Sequence, residues 1–521
     1  MRWKWWRYIS VRIVGLSSGF RKLFNPLLHL TRIEVSEIER KRRKILEEIR
    51  KLGIDPYPHS FKINASIQDV IREKNMRKTY VTAGRIMQLR DMGKITFINI
   101  ENAEASLQCF LSVENLKEDY AFFRKYVGRG DIIGVKGRLF YTKKGELTLN
   151  VKEFKLLTKA LLPPPQKWKG IVDEEIRYRK RYLDLIMNQR TREIFKKRAL
   201  IIREIRNFLN EKGFLEFETP ILQPVYGGAA AKPFITHVNY LDEDWYLQIS
   251  PELYLKRLVI GGFERVYTVA RNFRNESVDV RHNPEFTMLE VYQAYADYND
   301  VMKLIEDLFL YVHKKVFGTP ILKLKDGSKF DLRRRWRRLT MLDALKEYAD
   351  LDVEGMSDKE LKRLLKENGI ELPFYNRGLA IAELFEKLCE HELIQPTHII
   401  DHPRETTPLC KLHRKNESLI ERVESYINGV EHTNGYTELN DPILQEKFFL
   451  KEMELRKKGY EEAHPLDMDF VEALKYGMPP TGGVGIGVDR MIMTFLGVDS
   501  IKEVIPFPMV ARGFDLDQSH T

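Results

Sequence analysis

Residues Phe263 to Tyr298, FERVYTVARNFRNESVDVRHNPEFTMLEVYQAYADY, gather groups suited to holding a phosphate. Alternation predicts a strand over Phe263–Phe273, a polar turn, and a return strand over Pro284–Tyr292. In the return strand Glu285, Thr287 and Leu289 share one face; Phe286, Met288, Glu290 and Tyr292 share the other. The turn places Arg274, Arg281 and His282 at a hairpin tip, where guanidinium forks match phosphate oxygens. Taken alone, such a tip reads as a solvated loop of paired charges. A second stretch, Glu421 to Asp441, reads as strand, Asn428-Gly429 turn and strand, with Glu424 and Glu431 flanking the turn. Asn434, Tyr436 and Glu438 alternate along its return strand and so face one way. A third, Gly482 to Leu496, is glycine-rich and then apolar and helical, with Arg490 at the helix start. Gly227 and Gly228 open a run of small residues where backbone can approach a ligand closely. His398, His402, Cys410 and His413 match zinc spacing superficially, but Thr397 to Asp401 reads as a strand, so no zinc site is expected.

The elements that must position these groups belong to more than one core, because 521 residues exceed a single domain. Three cysteines argue against a disulfide framework and suit a reducing compartment such as the cytoplasm. No apolar run is long enough to span a membrane. The formal charge of +11 is uneven: Met1 to Ile33 holds seven Lys and Arg and no acid, leaving +4 elsewhere. That segment reads as a transit peptide, as a basic arm for RNA or an anionic membrane, or as residues before the true start. Glu34 to Leu52 reads as a charged helix with Ile38, Ile45 and Ile49 on one stripe. Tyr80 to Leu157 offers five short strands, with a helix over Asn115 to Val127 between the third and fourth. That pattern predicts an OB-fold barrel, a fold that binds single-stranded nucleic acid or other ligands. Leu161 to Lys169, with three consecutive prolines, reads as a stiff linker. Ile176 to Leu209 reads as mostly helix, followed by a strand over Phe214–Leu222 that Pro220 interrupts.

FRNE…RHNPEF resembles motif 2 of the class II aminoacyl-tRNA synthetases. Gly213 to Pro220, GFLEFETP, resembles motif 1, and Gly483 to Arg490, GVGIGVDR, resembles motif 3. The three stand in the family's order, and the resemblance covers roughly Ile54 to Met509. Within the class the lysyl type matches best. The resemblance implies an α+β fold: an N-terminal OB-fold barrel for the anticodon, then a catalytic domain with an antiparallel sheet flanked by helices. The implied division is a basic extension to 33, a helical segment to 76, the barrel at 77–160, a linker to 185, and a catalytic domain at 186–521 with an insertion at about 320–396.

It also implies roles. Arg274 and Arg490 would be catalytic. Arg274, Asn275, Glu276, Arg281, His282, Asn283, Phe286 and Arg490 would bind ATP, with adenine between Phe286 and Arg490. Gly228, Glu252, Glu290, Tyr292, Asn434, Tyr436 and Glu438 would bind lysine, and Glu252 after Pro251 favours a cationic side chain over an anionic one. Glu424 and Glu431 would hold Mg²⁺ against the phosphates. Arg85, Phe97 and Gln108 would read the anticodon, with Glu146 as a further base-edge candidate. The implied partners are tRNA(Lys), ATP and lysine, with a homodimer formed through motif 1. Three rivals stand beside this reading: an aspartyl or asparaginyl enzyme of the same fold, a non-catalytic RNA-binding paralogue, and a synthetase-like enzyme that lysylates a protein, which would lack the anticodon barrel.

Overall fold

The computed structural model describes residues 36–165, 174–457 and 463–511. The basic extension, residues 166–173 after the prolines and the end of the tail lie outside them. Along the sequence the chain divides into two compact units, one up to residue 168 and one from residue 169.

In the first unit, helix α1 (Glu37–Lys51) starts at Ser36, whose side chain accepts from the Glu39 amide. Its buried stripe is Leu46 and Ile49 with Ile45 beside them; Ile38 is exposed. One residue of its basic face, Arg42, is spent internally on the Ala160 and Arg129 carbonyls. Five strands close a barrel: β1 (Thr79–Asp91), β2 (Ile95–Glu101), β3 (Ser106–Ser112), β4 (Ile132–Tyr141) and β5 (Leu147–Thr158), in the order β1-β2-β3-β5-β4. The β3–β5 pairing is parallel, and the helical segment Glu118–Tyr126 lies between β3 and β4. Alternation along β2 buries Thr96, Ile98 and Ile100 and turns Phe97 and Asn99 outward. The expected OB-fold is therefore present.

The second unit is built on one eight-stranded sheet. Its strands are β6 (Leu215–Glu216), β7 (Arg265–Phe273), β8 (Glu285–Ala294), β9 (Arg337–Thr340), β10 (Thr397–Pro403), β11 (Leu419–Ile427), β12 (Val430–Thr437) and β13 (Thr481–Gly487), in the order β9-β10-β11-β12-β13-β8-β7-β6. Pairing is antiparallel except at the two edges, β9–β10 and β6–β7. Helices α2 (Gln189–Glu211), α3 (Glu252–Ile260), α4 (Tyr298–Phe317) and α5 (Val488–Leu496) accompany it. One face of the sheet packs on α2, α4 and α5 around Ile205, Leu308, Phe309 and Ile492, the largest apolar cluster. The expected single strand at Phe214–Leu222 is split: only Leu215–Glu216 joins this sheet, while Leu222–Gln223 belongs to a separate three-stranded one. Pro220, which has no N–H to donate, lies between them. The 320–396 region has its own core around Leu345, Leu361 and Leu384, yet lends β9 to the main sheet.

Candidate active site

The pairing of β7 with β8 runs without interruption from Arg265↔Gln293 to Phe273↔Glu285. Beyond it the loop folds on Asp279, whose carboxylate accepts from the amides of Arg281 and His282 and from the His282 ring. Its base is held by backbone: the Asn275 amide donates to the Lys232 carbonyl at 2.8 Å, and the Lys232 amide donates to Glu276 Oε1 at 3.3 Å. These contacts are indifferent to the side chain at 232.

Two adjoining cavities open on the exposed face of β8, β12 and β13. One, about 250 Å³, is lined by Gly228, Glu252, Glu290, Tyr292, Glu424, Glu431, Asn434, Tyr436, Glu438, Gly483 and Gly485, among others. The other, about 230 Å³, is lined by Glu276, Arg281, His282, Asn283, Phe286, Gly487 and Arg490. Arg274, Met288, Glu431 and Gly485 border both. All seven residues expected at the amino acid thus line the first cavity. All but one of those expected at ATP line the second; Asn275 does not, because its backbone serves the Lys232 clamp.

Strict alternation would place Glu431 and Asn434 on opposite faces of β12. A bulge brings them together: Ser425 pairs with Thr433, but Tyr426 pairs with Glu431, so His432 is the extra residue. His432 turns away and bonds Thr494. Asn428 and Gly429 both have positive φ (61° and 66°), as a two-residue type I′ turn requires.

The glycine-rich stretch is not a phosphate loop. It is β13, between β12 and β8. A Cβ on Gly483 would lie 2.2 Å from Glu438 Oε1 and 2.3 Å from the Tyr292 ring; one on Gly485 would lie 2.7 Å from Met288 Cε. The glycines are absences that make the cavity floor. Gly228 (φ +83°) closes the rim, where a Cβ would meet Glu252 Cβ and Ser250 Oγ at 2.9 Å.

The first cavity is strongly acidic. Burial pushes the Glu290 carboxyl up to about 7, with Glu252 adding repulsion, although Tyr292 and Ser250 donate to it at 3.0 and 3.1 Å. Burial pushes Glu438 up to about 8 against the pull of Lys256. Glu438 Oε1 is buried and has no hydrogen-bond partner. At the other end, Arg274 Nε is also buried without a partner, and its guanidinium lies 5.2 Å from the Phe286 ring centre. Sequence reasoning missed Lys256, which bridges Glu252 and Glu438, and Arg422, which pairs with Glu424. Their signal was weak: a basic residue in an apolar helix, and a basic residue beside the acids of a hairpin.

Glu424 also accepts from Tyr426 at 2.7 Å and meets His402 at 3.3 Å. Although burial opposes it, Arg422 and His402 hold its carboxyl well below the usual range. Glu431 is raised by burial and by the charge of Glu424, while Arg490 pairs with it at 3.2 Å. Two carboxylates that repel across one wall offer the hard oxygens Mg²⁺ takes, so the pair fits that ion once its arginines turn to the phosphates. His398 and His402 are committed to Ser425, Glu306 and Glu424, and Cys410 to two backbone carbonyls.

On the barrel, Phe97 pairs with Arg90 on β1 and with Phe110 on β3, its ring 5.1 Å from that of Phe110. Gln108 is buried, receives Arg90 at 3.1 Å and donates to Thr148 at 2.8 Å. Arg85, expected beside them, pairs instead with Glu101, four residues along β2, or about 13 Å away. Its guanidinium donates to the Gly130 carbonyl. Arg90 is the arginine beside Phe97 and Gln108. The bulge between Ile86 and Gln88 shifts the register of β1, which no spacing rule reveals.

A family model for class II tRNA synthetases (D, K and N) matches residues 173–511, and one for OB-fold nucleic acid binding domains matches residues 80–157. The lysine–tRNA ligase of Saccharolobus solfataricus is 53% identical, covering 91% of this chain and 97% of that protein. Those of Methanoculleus marisnigri (48%, covering 89% and 93%) and Thermotoga maritima (46%, covering 91% and 96%) are similarly close. A chain aligned with such ligases over most of its length, whose hairpin, acidic turn and glycine strand meet beside one arginine, belongs to the class II tRNA synthetases of the D, K and N group.

Proposed function

We propose that the chain activates lysine with ATP to lysyl-adenylate and transfers the lysyl group to the 3′ end of tRNA(Lys). One observation carries the choice of lysine. The amino-acid cavity has a buried unpartnered donor at one end, Arg274 Nε, and a buried unpartnered acceptor at the other, Glu438 Oε1. A zwitterion with a cationic side chain satisfies both. Arg274 receives the carboxylate and, from the second cavity, the α-phosphate. Glu290, which feels the charges of both Arg274 and Glu252, receives the α-ammonium. Glu252 and Glu438 receive the ε-ammonium, and Tyr292 and Tyr436 line the path of the stem. An aspartate side chain would meet these carboxylates: Lys256 does not line the cavity, and Arg422, which does, is paired with Glu424.

The lysine carboxylate attacks the α-phosphorus and pyrophosphate leaves; positioning and charge neutralisation carry the step. Phe286 and Arg490 flank the adenine, and Glu276 faces its edge. Arg281 and His282 reach the outer phosphates; Arg281 is now 3.6 Å from Glu390 and must turn from it. Glu424 and Glu431 would hold Mg²⁺, which supplies charge neutralisation at the phosphates when bound. The tRNA ribose 3′-hydroxyl then attacks the acyl carbon and AMP leaves. Phe97, Gln108 and Arg90 form the anticodon face, where the outward-turned, half-buried Phe97 ring stacks a base. Leu215, Ile221 and Leu222, in the motif 1 region, are exposed apolar residues, which supports a second copy of this chain as their cover. The test is ATP–pyrophosphate exchange with each of the twenty amino acids. Lysine alone should drive it. Exchange with aspartate or asparagine overturns the assignment, and exchange with none overturns the enzyme reading.

A further inference from the structure

The residue that no motif claims is Lys256, one helical turn after Glu252 on α3. It is fully buried. Its Nζ lies 2.5 Å from Glu252 Oε1 and is in contact with Glu438 Oε2. The rings of Tyr292 and Phe470 lie 6.0 Å from it. It sits behind the two carboxylates and does not line the cavity. Glu438 therefore presents Oε1 over Gly483 to the ligand and Oε2 to Lys256.

Resting on the lysine reading above, we propose that Lys256 is a specificity-determining positioning residue. It is an internal ammonium that shares both carboxylates with the substrate's ε-ammonium and limits the pocket to one added positive charge. When both carboxylates are ionised, two buried acids and one internal cation leave a single negative charge for one ligand cation to close. The other charged or titratable groups around the triad are Glu290 and Tyr292 on β8, Arg422 on β11, Tyr436 on β12, Cys410 across from Glu438, and His464. Glu290 belongs to the α-ammonium and Arg422 to Glu424. Burial and the charge of Lys256 depress His464 to about 4, so it stays neutral. None of them replaces Lys256.

The experiment is lysine-dependent ATP–pyrophosphate exchange by the full chain, comparing wild type with E252Q, K256M and K256M/E252Q across about pH 6 to 9.5. E252Q leaves a neutral Lys256–Glu438 pair, and its KM for lysine should rise about 100-fold with a smaller change in kcat. Removing the second group should then help: K256M/E252Q restores one net negative charge, and its KM should return to within about tenfold of wild type. In K256M alone the two carboxylates hold a proton that lysine must displace, so KM should fall more steeply with rising pH and level off at higher pH than in wild type. A double variant no better than E252Q, or one that does not fold, overturns the proposal. So does K256M with a wild-type pH profile. Each of these leaves lysine activation by the wild type intact. Wild type that shows no exchange with lysine at any pH overturns the lysine reading and this inference together.

Discussion

Single side chains in the amino-acid cavity carry opposing demands. Glu290 is a buried carboxylate whose pKa is raised to about 7. An acid raised on folding is charged at a cost, so stability is lost as pH rises from its unfolded value, about 4.3, through about 7. E290Q should therefore be more stable than wild type at pH 8, by up to about 3 kcal/mol, and no more stable at pH 5. Denaturant melts at the two pH values check this, and lysine-dependent exchange should fall in the same variant. Arg274 acts at both cavities, so R274A should lose about 1,000-fold in kcat/KM for exchange while circular dichroism stays that of a folded chain. Substrate analogues sort the end of the pocket. Norleucine leaves Glu438 and Glu252 facing no cation and should be rejected much more firmly than ornithine, which is short by one methylene, worth about 1–3 kcal/mol. Comparable activation of the two would count against the acidic pocket. At this scale the sequence was informative wherever a motif fixed both identity and order, as for Arg274, Phe286, Glu438 and Arg490. Lys256 was hidden because its burial depends on Glu438, brought from just past β12, far along the chain.

Elements decide which of those residues meet. The β7–β8 hairpin and the acidic turn were legible because alternation and an Asn-Gly pair each have a direct physical reading. The bulge at His432 was not, since an extra residue leaves local composition unchanged while exchanging the two faces of a strand. The setting of the glycine stretch was not legible for a similar reason: composition does not say what flanks it, and between two strands it creates empty space. G483A tests the strand reading. Its methyl group would enter the space of Glu438 Oε1 and the Tyr292 ring. KM for lysine should rise by at least about tenfold and KM for ATP change little, because Gly483 borders only the amino-acid cavity. Equal effects on both substrates would place the glycines against the phosphates after all. The motif 1 strand was legible in kind and not in extent, because Pro220 moves its second half into a different sheet.

Across the whole molecule, work is divided between the two units. F97A should raise KM for tRNA by about tenfold or more, as loss of a stacked base does, and leave lysine-dependent exchange untouched. Aminoacylation and exchange assays on the same preparation separate the two effects. The exposed apolar residues near β6 give a further test: wild type should sediment as a dimer and I221E/L222E as a monomer. The order of barrel and catalytic unit was readable from strand spacing and motif order. The side of the barrel that would face a base was only partly readable, since the pairing that sets Arg90 beside Phe97, with a bulge between Ile86 and Gln88, leaves no mark in the spacing. The stacking of Arg274 on Phe286 has a thermodynamic consequence. The guanidinium lies 5.2 Å from the ring centre, and on the proposed reading the amino acid's carboxylate would draw it away as adenine takes the ring. Each substrate then does part of the other's rearrangement. Lysine should tighten binding of a non-hydrolysable ATP analogue, and that analogue should tighten lysine by the same factor, as linkage demands.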